Sequence, residues 1–488
     1  MATSPSRDSL RRDSIGLPQV LFQSVTHMAP AVSLTFVFFT AIQFTGPVLP
    51  LALLIALAAM LCVAVGIGQL AKEIPSAGGL YTYVSNGLGS RVGFVVGWCF
   101  LLIEPLVAPL LFLLFGFLLQ DVFENDIGWG TGWVLWVVVA AVAMFLLAYR
   151  DVRVSMGAGI ALGAFEIGAF FLLAIWIILS VGGDNTLAVL DPTNAAAGTW
   201  EGTFKGVVFA ITALVGFEAA APLGEEARRP RWTVPRALFL ACLAIGIFYV
   251  VTSYAWVVGT GFDAFTEATL ESANPIRELA EEFWGWGWWI LFLALVNGVL
   301  ANGNAALNTA SRIAYAMSRA GALPRALSRT HATFGTPHVA IVLQALGGLA
   351  LALLLGWKWD PLTGLSILGT TIGITIIVCY ITVSVAAIAY FWRRGRERFN
   401  VLLHGVLPAV GAIAFLFPLW YQYNPLPPYP LRWANWLAPT WIVLGIVVTA
   451  VLAARRPQAL ERAREIYVED DRVHPGEMEP GFVHPTPS

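Results

Sequence analysis

Between Ser14 and Ala71 the sequence contains no Asp, Glu, Lys or Arg. A helix that crosses the hydrocarbon core of a bilayer needs about 20 mostly apolar residues, so this run is long enough for two crossings, with a break expected at Gly46-Pro47. The run is not a cleavable signal peptide, because it follows a polar, arginine-containing leader and has no small-residue cleavage pattern. Further apolar runs bring the expected number of spans to twelve and lie at about 92–120, 131–149, 154–181, 204–223, 236–259, 285–311, 338–356, 362–391, 401–421 and 436–453.

The composition agrees with a chain that lies mostly in lipid. Hydrophobic residues make up 58% of the sequence and charged residues 12%, whereas a soluble chain carries about 45–50% and about 25%. A soluble enzyme, a nucleic-acid-binding protein and a disordered protein are therefore excluded. The expected surroundings are the lipid bilayer, and the sequence leaves the oligomeric state open.

Basic residues are unevenly divided between the alternate loops of these spans. If the amino terminus is cytoplasmic, 24 of the 28 Lys and Arg residues fall on the cytoplasmic side. The opposite side receives only Lys205, Arg277, Lys358 and Arg432. Because cytoplasmic loops carry the excess of Lys and Arg, we expect a multi-pass protein of the plasma (inner) membrane with both termini inside.

Motifs of soluble enzymes and metal sites are missing from the sequence. No Walker loop, HExxH or GxSxG motif occurs, and the terminal tails are too small for a nucleotide-binding domain. All four cysteines fall within predicted spans, which argues against a disulfide framework or a metal cluster: Cys62, Cys99, Cys242 and Cys379. We therefore expect no enzymatic activity, no catalytic residue, no metal ligand and no organic cofactor.

Three acids, Glu104, Glu166 and Glu218, lie deep in predicted spans, with no Lys or Arg at a similar depth. A charged side chain at the bilayer centre costs at least about 2.5–3.5 kcal/mol and usually marks a substrate or proton pathway. Such acids must be protonated, solvated or paired with a cation that comes and goes, as a proton or a substrate ammonium does. The alternative is a structural role, as neutral carboxyls that cap helix backbone or face a polar neighbour.

Two predicted spans contain helix-breaking residues. Pro30 interrupts the first span and Gly216, with Pro222 after it, interrupts the sixth. These spans are five apart, which is where an inverted repeat of five helices places two broken helices, and paired broken helices point to the binding site of a transporter.

Such a pair of breaks suits an amino acid. The outer half of span 1, starting near Val32-Ser33-Leu34, offers free N–H groups and a positive dipole end to a carboxylate. The carbonyls near Met28-Ala29 and near Leu214-Val215 can hold an ammonium. One zwitterion thereby satisfies backbone groups that would otherwise lack partners in lipid.

Three segments resemble the amino acid–polyamine–organocation (APC) permeases. The first is Lys72-Glu73-Ile74-Pro75-Ser76-Ala77-Gly78-Gly79-Leu80-Tyr81-Thr82-Tyr83-Val84, followed by Gly89, Gly93, Gly97 and Trp98. The second is Gly216-Phe217-Glu218, followed by Glu225-Glu226-Ala227-Arg228-Arg229-Pro230 and Val234-Pro235-Arg236-Ala237. The third is Ser311-Arg312-Ile313-Ala314-Tyr315-Ala316-Met317-Ser318-Arg319-Ala320-Gly321-Ala322-Leu323-Pro324, followed by Thr336-Pro337. Together they cover most of the chain in the family's order.

The resemblance implies an all-α, LeuT-like fold with ten core helices in two inverted repeats and two peripheral helices. On this plan a tail of residues 1–18 precedes a transporter domain of residues 19–454, and a tail of residues 455–488 follows. Repeat one covers about 19–183, repeat two about 203–392, and the last two helices about 400–454. The resemblance also implies substrate contacts from spans 1, 3, 6, 8 and 10.

The sequence departs from the family pattern at two places. The Gly-rich break of span 1 is replaced here by Met28-Ala29-Pro30-Ala31. Some members carry a Lys in span 5 that substitutes for a sodium ion and moves protons, and Glu166 stands at the equivalent position. A carboxyl buried at low dielectric favours its protonated form, so Glu166 is the preferred coupling residue.

The candidate site follows from the breaks, the acids and the resemblance. Glu166 and Glu218 are the expected proton-coupling residues. The expected substrate-binding residues are Ala29, Pro30, Ala31, Val32, Ser33, Glu104, Thr212, Val215, Gly216 and Phe217.

These features predict a secondary active transporter of an amino acid or related organic amine that works by alternating access. The proton is the preferred coupling ion and sodium is the alternative. An exchanger without ion coupling and a transporter-like membrane sensor stay open as readings. A membrane-embedded enzyme is disfavoured, because the spans supply no convincing nucleophile–base pair or metal set.

Overall fold

The computed structural model describes residues 13–150, 152–272, 274–393 and 399–461, without the side chains of 152–159 and 459. Within this part the chain is helical and contains no β-sheet, apart from one isolated bridge between Ile15 and Ala227. The α-helices are α1 Leu17–His27, α2 Pro30–Val32, α3 Phe38–Thr45, α4 Leu49–Glu73, α5 Leu80–Leu88, α6 Ser90–Asn125, α7 Trp133–Tyr149, α8 Val152–Val181, α9 Thr199–Ala213, α10 Pro230–Thr260, α11 Phe265–Glu271, α12 Pro275–Trp284, α13 Trp288–Arg319, α14 His338–Lys358, α15 Pro361–Arg393, α16 Leu407–Ala414, α17 Leu416–Tyr423, α18 Arg432–Arg455 and α19 Pro457–Glu461.

Tighter and wider helical turns connect several of these elements. π-Helical turns occupy Ser33–Val37 and Val401–Val406. The 3₁₀ turns are Gly46–Val48, Gly182–Asp184, Ala188–Leu190, Pro192–Asn194, Phe217–Leu223, Gly285–Gly287 and Arg325–Ser328. Most of the two predicted tails lies outside the described residues.

Ten stretches in the described residues are long and apolar enough to cross a membrane. The first covers Leu17–Glu73, and Trp133–Tyr149 is apolar but shorter than the other stretches. The predicted break at Gly46-Pro47 is present, because Gly46 has φ +53° and α3 ends just before it. The protein is therefore an all-helical, multi-span membrane protein.

Small residues let these helices approach one another closely, as is common in membranes. A Cβ added at Gly246 of α10 would lie 2.2 Å from Leu57 of α4, and these two helices pack along each other. A Cβ at Gly303 of α13 would lie 2.0 Å from Met144 of α7. These contacts fix the scaffold around the interrupted helices.

Large apolar side chains also point outward, most of all on the late helices. Trp420 on α17 and Trp436 and Val443 on α18 are each about 60% exposed. A soluble protein rarely leaves so much contiguous apolar surface open, whereas lipid tails cover it without cost. A single helix can combine the two kinds of face, since α8 exposes Leu172 at 64% and buries Glu166.

Candidate functional site

The first break lies between α1 and α2. Helix α1 ends at His27, Met28 caps it, and Ala29 adopts a left-handed conformation with φ +48°. That conformation costs a residue with a Cβ about 1–2 kcal/mol. Pro30 then occupies the first position of α2, where its missing N–H is no loss. The break therefore occupies Met28 and Ala29, the two residues directly before the proline that predicts it, and the proline starts the next helical segment.

The second break lies after α9. This helix ends at Ala213, and Gly216 takes the left-handed region with φ +110°. The chain continues as a 3₁₀ helix over Phe217–Leu223 that includes Pro222, so the segment after the break has no α-helical turn of its own. Glycine is needed here because few other residues adopt this backbone conformation without strain.

The two breaks are in contact with each other. A Cβ at Gly216 would lie 2.8 Å from the carbonyl oxygen of His27 and 3.1 Å from the nitrogen of Met28. The hydroxyl of Tyr249 on α10 lies 3.1 Å from the carbonyl oxygen of Met28 and 3.1 Å from that of Ala213. A hydroxyl has one hydrogen to donate, so it satisfies one of these carbonyls at a time. The Ser33 hydroxyl also donates to the carbonyl oxygen of Met28 at 3.2 Å, so both carbonyls can have a donor at the same time, and the acceptor capacity that remains is the second lone pair of each.

Glu166 on α8 reaches the start of α2. Its Oε1 accepts a hydrogen bond of 2.7 Å from the backbone N–H of Ala31, and the side chain is fully buried. Its Oε2 has no hydrogen-bond partner in the described part of the chain. Gly298 on α13 makes room for the carboxyl, since a Cβ there would lie 2.5 Å from the Glu166 Cδ. A predicted coupling residue therefore contacts a predicted binding segment directly.

Glu218 is tied to the second break. Its Oε2 accepts a hydrogen bond of 3.0 Å from the N–H of Gly216 and a shorter one from the hydroxyl of Tyr380 on α15. The ring of Phe217 packs on that tyrosine with centroids 5.6 Å apart. Each break thus has one N–H that donates to a buried glutamate.

Glu104 lies midway along α6 and is fully buried. The Nε2 of His27 lies 3.3 Å from its Oε2. Neither carboxyl oxygen of Glu104, nor the Nδ1 of His27, has a hydrogen-bond partner among the described residues. The structure therefore places an imidazole beside Glu104, a neighbour that becomes an ion-pair partner when it is protonated.

Three other residues predicted to bind substrate, Ser33, Thr212 and Val215, make local hydrogen bonds through their side chains or their backbone. Ser33 donates from its hydroxyl to the carbonyl oxygen of Met28 at 3.2 Å, and its own N–H donates to that of Ala29. The Thr212 hydroxyl donates to Val208 within its own helix. Val215 lies in the turn before Gly216, and its N–H donates to the carbonyl oxygen of Thr212.

One end of the bundle is closed by two ion pairs between the segment after Leu223 and α13. Arg312 forms a bidentate pair with Glu226, and both side chains are almost fully buried. Arg319 binds Glu225 in the same way, at 2.5 and 2.9 Å. The N–H groups of Ser14 and Ile15 donate to the carbonyl oxygen of Glu226, which adds the start of the described chain to this closure.

A second closure involves the loop helix α12. Arg277 binds Asp126, just after α6, through two hydrogen bonds of 2.6 and 2.9 Å. It also binds Glu281 at 2.8 Å and lies over the ring of Trp288 at 4.1 Å. The cavity beside Glu218 and Pro222 is small and has room for about one water molecule.

Sequence reasoning did not assign roles to four residues of this site: His27, Tyr249, Gly298 and Tyr380. The periodicity of a buried helix does not show which tyrosine or glycine faces which break. His27 carried the clearest signal, because a histidine next to a predicted helix break is a polar group that needs a partner. Its partner Glu104 is remote in sequence and becomes visible only in the fold.

The fold and the site define a multi-span membrane protein with two interrupted helices that meet at a buried polar centre, an arrangement typical of transporters. A family model described as amino acid permease matches residues 15–452. The chain belongs to this family, as the resemblance implied. It is therefore a transporter-type protein of the plasma membrane and not an enzyme.

The chain is similar to several transporters over most of its own length and of theirs. The low-affinity putrescine importer PlaP of Escherichia coli K12 is 25% identical over 84% of the chain and 88% of the relative. The serine/threonine exchanger SteT of Bacillus subtilis is 26% identical over 72% and 78%. The branched-chain amino acid permease BcaP of Lactococcus lactis is 24% identical over 78% and 83%.

Proposed function

We propose that the protein is a secondary active transporter that moves an amino acid or a related organic amine by alternating access, with the proton as coupling ion. The relatives support this class, since their names describe import, exchange and permeation of amino acids and a diamine. Their substrates differ, so the proposal stays at the level of the amino and carboxyl groups that these compounds share.

The observation that carries the proposal is the contact between the two helix breaks. The start of α2 has few donors, because Pro30 has no N–H and Ala31 donates to Glu166. This leaves the N–H of Val32 for a substrate carboxylate. The carbonyls of Met28 and Ala213 share one tyrosine hydroxyl, and Ser33 also donates to Met28. A substrate ammonium with its several donors can use the lone pairs that remain on both carbonyls. A zwitterion therefore completes the hydrogen bonding of the breaks.

Glu166 couples the proton to this movement in our proposal. When ionised, its carboxylate holds the N–H of Ala31 and so ties α8 to the start of α2. Protonation weakens that acceptor, because hydrogen bonds to charged groups are about twice as strong as neutral ones. Loading one proton then frees α2 to move. Glu218 plays the matching part at Gly216, and sodium is the alternative ion.

The finer architecture is also a proposal. Leu17–Glu73 is treated as two crossings that meet at Gly46, and Trp133–Tyr149 as one short crossing, which brings the count to twelve. The interruptions after His27 and Ala213 then fall in the first and sixth crossings, as a LeuT-like pair of inverted repeats requires. The arginine-rich closure at Glu226 and Arg312 then faces the cytoplasm, with both termini on that side.

Uptake into proteoliposomes tests the function directly. Purified protein is supplied with labelled leucine, serine, lysine, putrescine and ethanolamine under an imposed pH gradient, and separately under a sodium gradient. We expect saturable uptake of at least one compound that rises with an inward proton gradient. Glu166→Gln keeps the volume and removes the titratable group, so it should abolish the effect of the pH gradient. The matched control is Glu267→Gln on the loop helix α11, which should behave as the parent.

An exchanger without ion coupling is the second candidate, and similarity to a serine/threonine exchanger favours it. In that case neither gradient changes uptake, while unlabelled substrate inside the vesicles stimulates it. A folded protein that moves none of the panel under any condition would contradict transport and favour a membrane sensor.

A further inference from the structure

His27 and Glu104 form a buried pair of side chains. Unlike Glu166 and Glu218, Glu104 accepts no hydrogen bond from the backbone of either break. The imidazole Nε2 lies 3.3 Å from the Glu104 Oε2, and both side chains are almost or fully buried. Yet both carboxyl oxygens and the Nδ1 lack hydrogen-bond partners in the part of the chain that is described. A buried carboxyl that is short of donors is costly. The imidazole is the neighbour of Oε2 alone, so Glu104 keeps unused acceptor capacity beside the two breaks.

The charged and titratable groups around His27 do not remove that capacity. Glu218 faces His27 from the 3₁₀ segment, but its Oε2 already binds Gly216 and Tyr380. Glu166 on α8 binds the Ala31 N–H. Tyr249 on α10 uses its hydroxyl on the break carbonyls. From α13 the neighbour of the imidazole is the uncharged Asn302.

The charge balance of this pair sets what it can bind. One proton shared by the imidazole and the carboxyl keeps the pair either a neutral ion pair or two neutral groups. An organic ammonium beside Glu104 supplies the compensating positive charge itself, so the proton becomes redundant and leaves to solvent. A zwitterion brings no net charge, and its ammonium is held by the break carbonyls, so it leaves the proton in place.

We propose that the His27–Glu104 pair is a recognition site for substrates with net positive charge, in which the ammonium binds Glu104 and displaces the pair's proton. This inference rests on the proposed function and names a substrate class for it, organic amines such as diamines and amino alcohols. It also makes binding of such amines proton-releasing, whereas binding of neutral amino acids is not.

Calorimetry on the full-length protein in detergent tests the proposal. Putrescine and ethanolamine are the cationic probes and leucine is the zwitterionic one, each titrated at pH 7 in two buffers with different ionisation enthalpies. The difference between buffers gives the number of protons released per ligand bound. We expect about one proton for at least one cationic probe and about none for leucine.

Two variants separate recognition from folding. Glu104→Gln should weaken binding of the cationic probe at least about tenfold and leave leucine binding within about twofold. The double variant His27→Gln with Glu104→Gln removes both partners, which is often tolerated where removal of one is not. It should likewise weaken binding of the cationic probe and leave leucine binding nearly unchanged. A purely structural role would weaken both kinds of ligand together.

The outcomes distinguish this inference from the proposed function. Cationic binding without proton release, or equal binding by the parent and the double variant, overturns the inference. A parent that binds and transports leucine but neither cationic probe also overturns it and leaves the transporter proposal standing. A parent that neither binds nor transports any compound of the panel contradicts both.

Discussion

The space that Gly298 leaves for Glu166 gives a test of coupling that changes no titratable group. In Gly298→Ala the new Cβ would lie 2.5 Å from the Glu166 Cδ and 2.6 and 2.7 Å from its two oxygens. Carbon atoms in contact are about 3.5–4.0 Å apart, so the carboxyl must withdraw by about 1 Å. Its 2.7 Å hydrogen bond from Ala31 then lengthens beyond hydrogen-bonding range.

The cost of that change can be estimated. A hydrogen bond to a charged group contributes about 1.5–3 kcal/mol, and each 1.4 kcal/mol is a factor of ten. We therefore expect pH-gradient-driven accumulation by Gly298→Ala to fall by about 10- to 100-fold in proteoliposomes. The control is Gly168→Ala on α8, where a Cβ meets no atom within 4 Å.

A compensating change makes the test specific. Glu166→Asp shortens the side chain by one methylene group, so the double variant with Gly298→Ala regains the space that the alanine takes. Accumulation by the double variant should exceed that of Gly298→Ala alone, a coupling between neighbouring sites that a double-mutant cycle measures. Unchanged accumulation in Gly298→Ala would refute the proposed role of the Glu166 hydrogen bond.

Three further predictions address the breaks and the ion pair between Arg312 and Glu226. Gly216→Ala combines a φ of +110° with a Cβ 2.8 Å from the carbonyl oxygen of His27, so uptake should fall below a tenth of the parent value; parent-like uptake would contradict a need for glycine here. Tyr249→Phe removes the hydroxyl shared by two break carbonyls and should lower thermal stability in detergent, by about 1–3 kcal/mol, as well as uptake. Arg312→Met leaves Glu226 buried without its partner and should destabilise by about 3–5 kcal/mol, whereas Arg312→Met with Glu226→Leu should recover much of the loss in a thermal-shift assay.

Local rules explain why much of the scaffold was predictable. A charge-free run as long as that from Ser14 to Ala71 favours a lipid environment over water. In lipid such a run forms helices, because the backbone N–H and C=O groups must be hydrogen-bonded within the protein. Gly46 and Gly216 both adopt positive φ and both stand where the sequence predicts a break. These are properties of single residues and their chain neighbours, so they can be read without knowing the fold.

The proline in the first span shows the limit of that reading. Pro30 predicts an interruption, and the interruption is present, but the left-handed residue is Ala29 and not a glycine. The strain at Ala29 is offset by contacts from elsewhere, including the hydrogen bond from the next residue but one, Ala31, to Glu166. Which backbone groups stay free therefore depends on a partner far away in the sequence.

The pairing of the buried acids could not be read from the sequence for the same reason. Hydropathy places Glu104, Glu166 and Glu218 in spans but gives no rotation of one helix relative to another. Once the helices pack, each acid meets a different partner close to the two breaks: an imidazole, the N–H of Ala31, and the N–H of Gly216 with a phenol. Two of the three acids therefore hold the N–H of a break, while Glu104 faces an imidazole and holds neither break. This difference separates a coupling role from a recognition role in the proposals above.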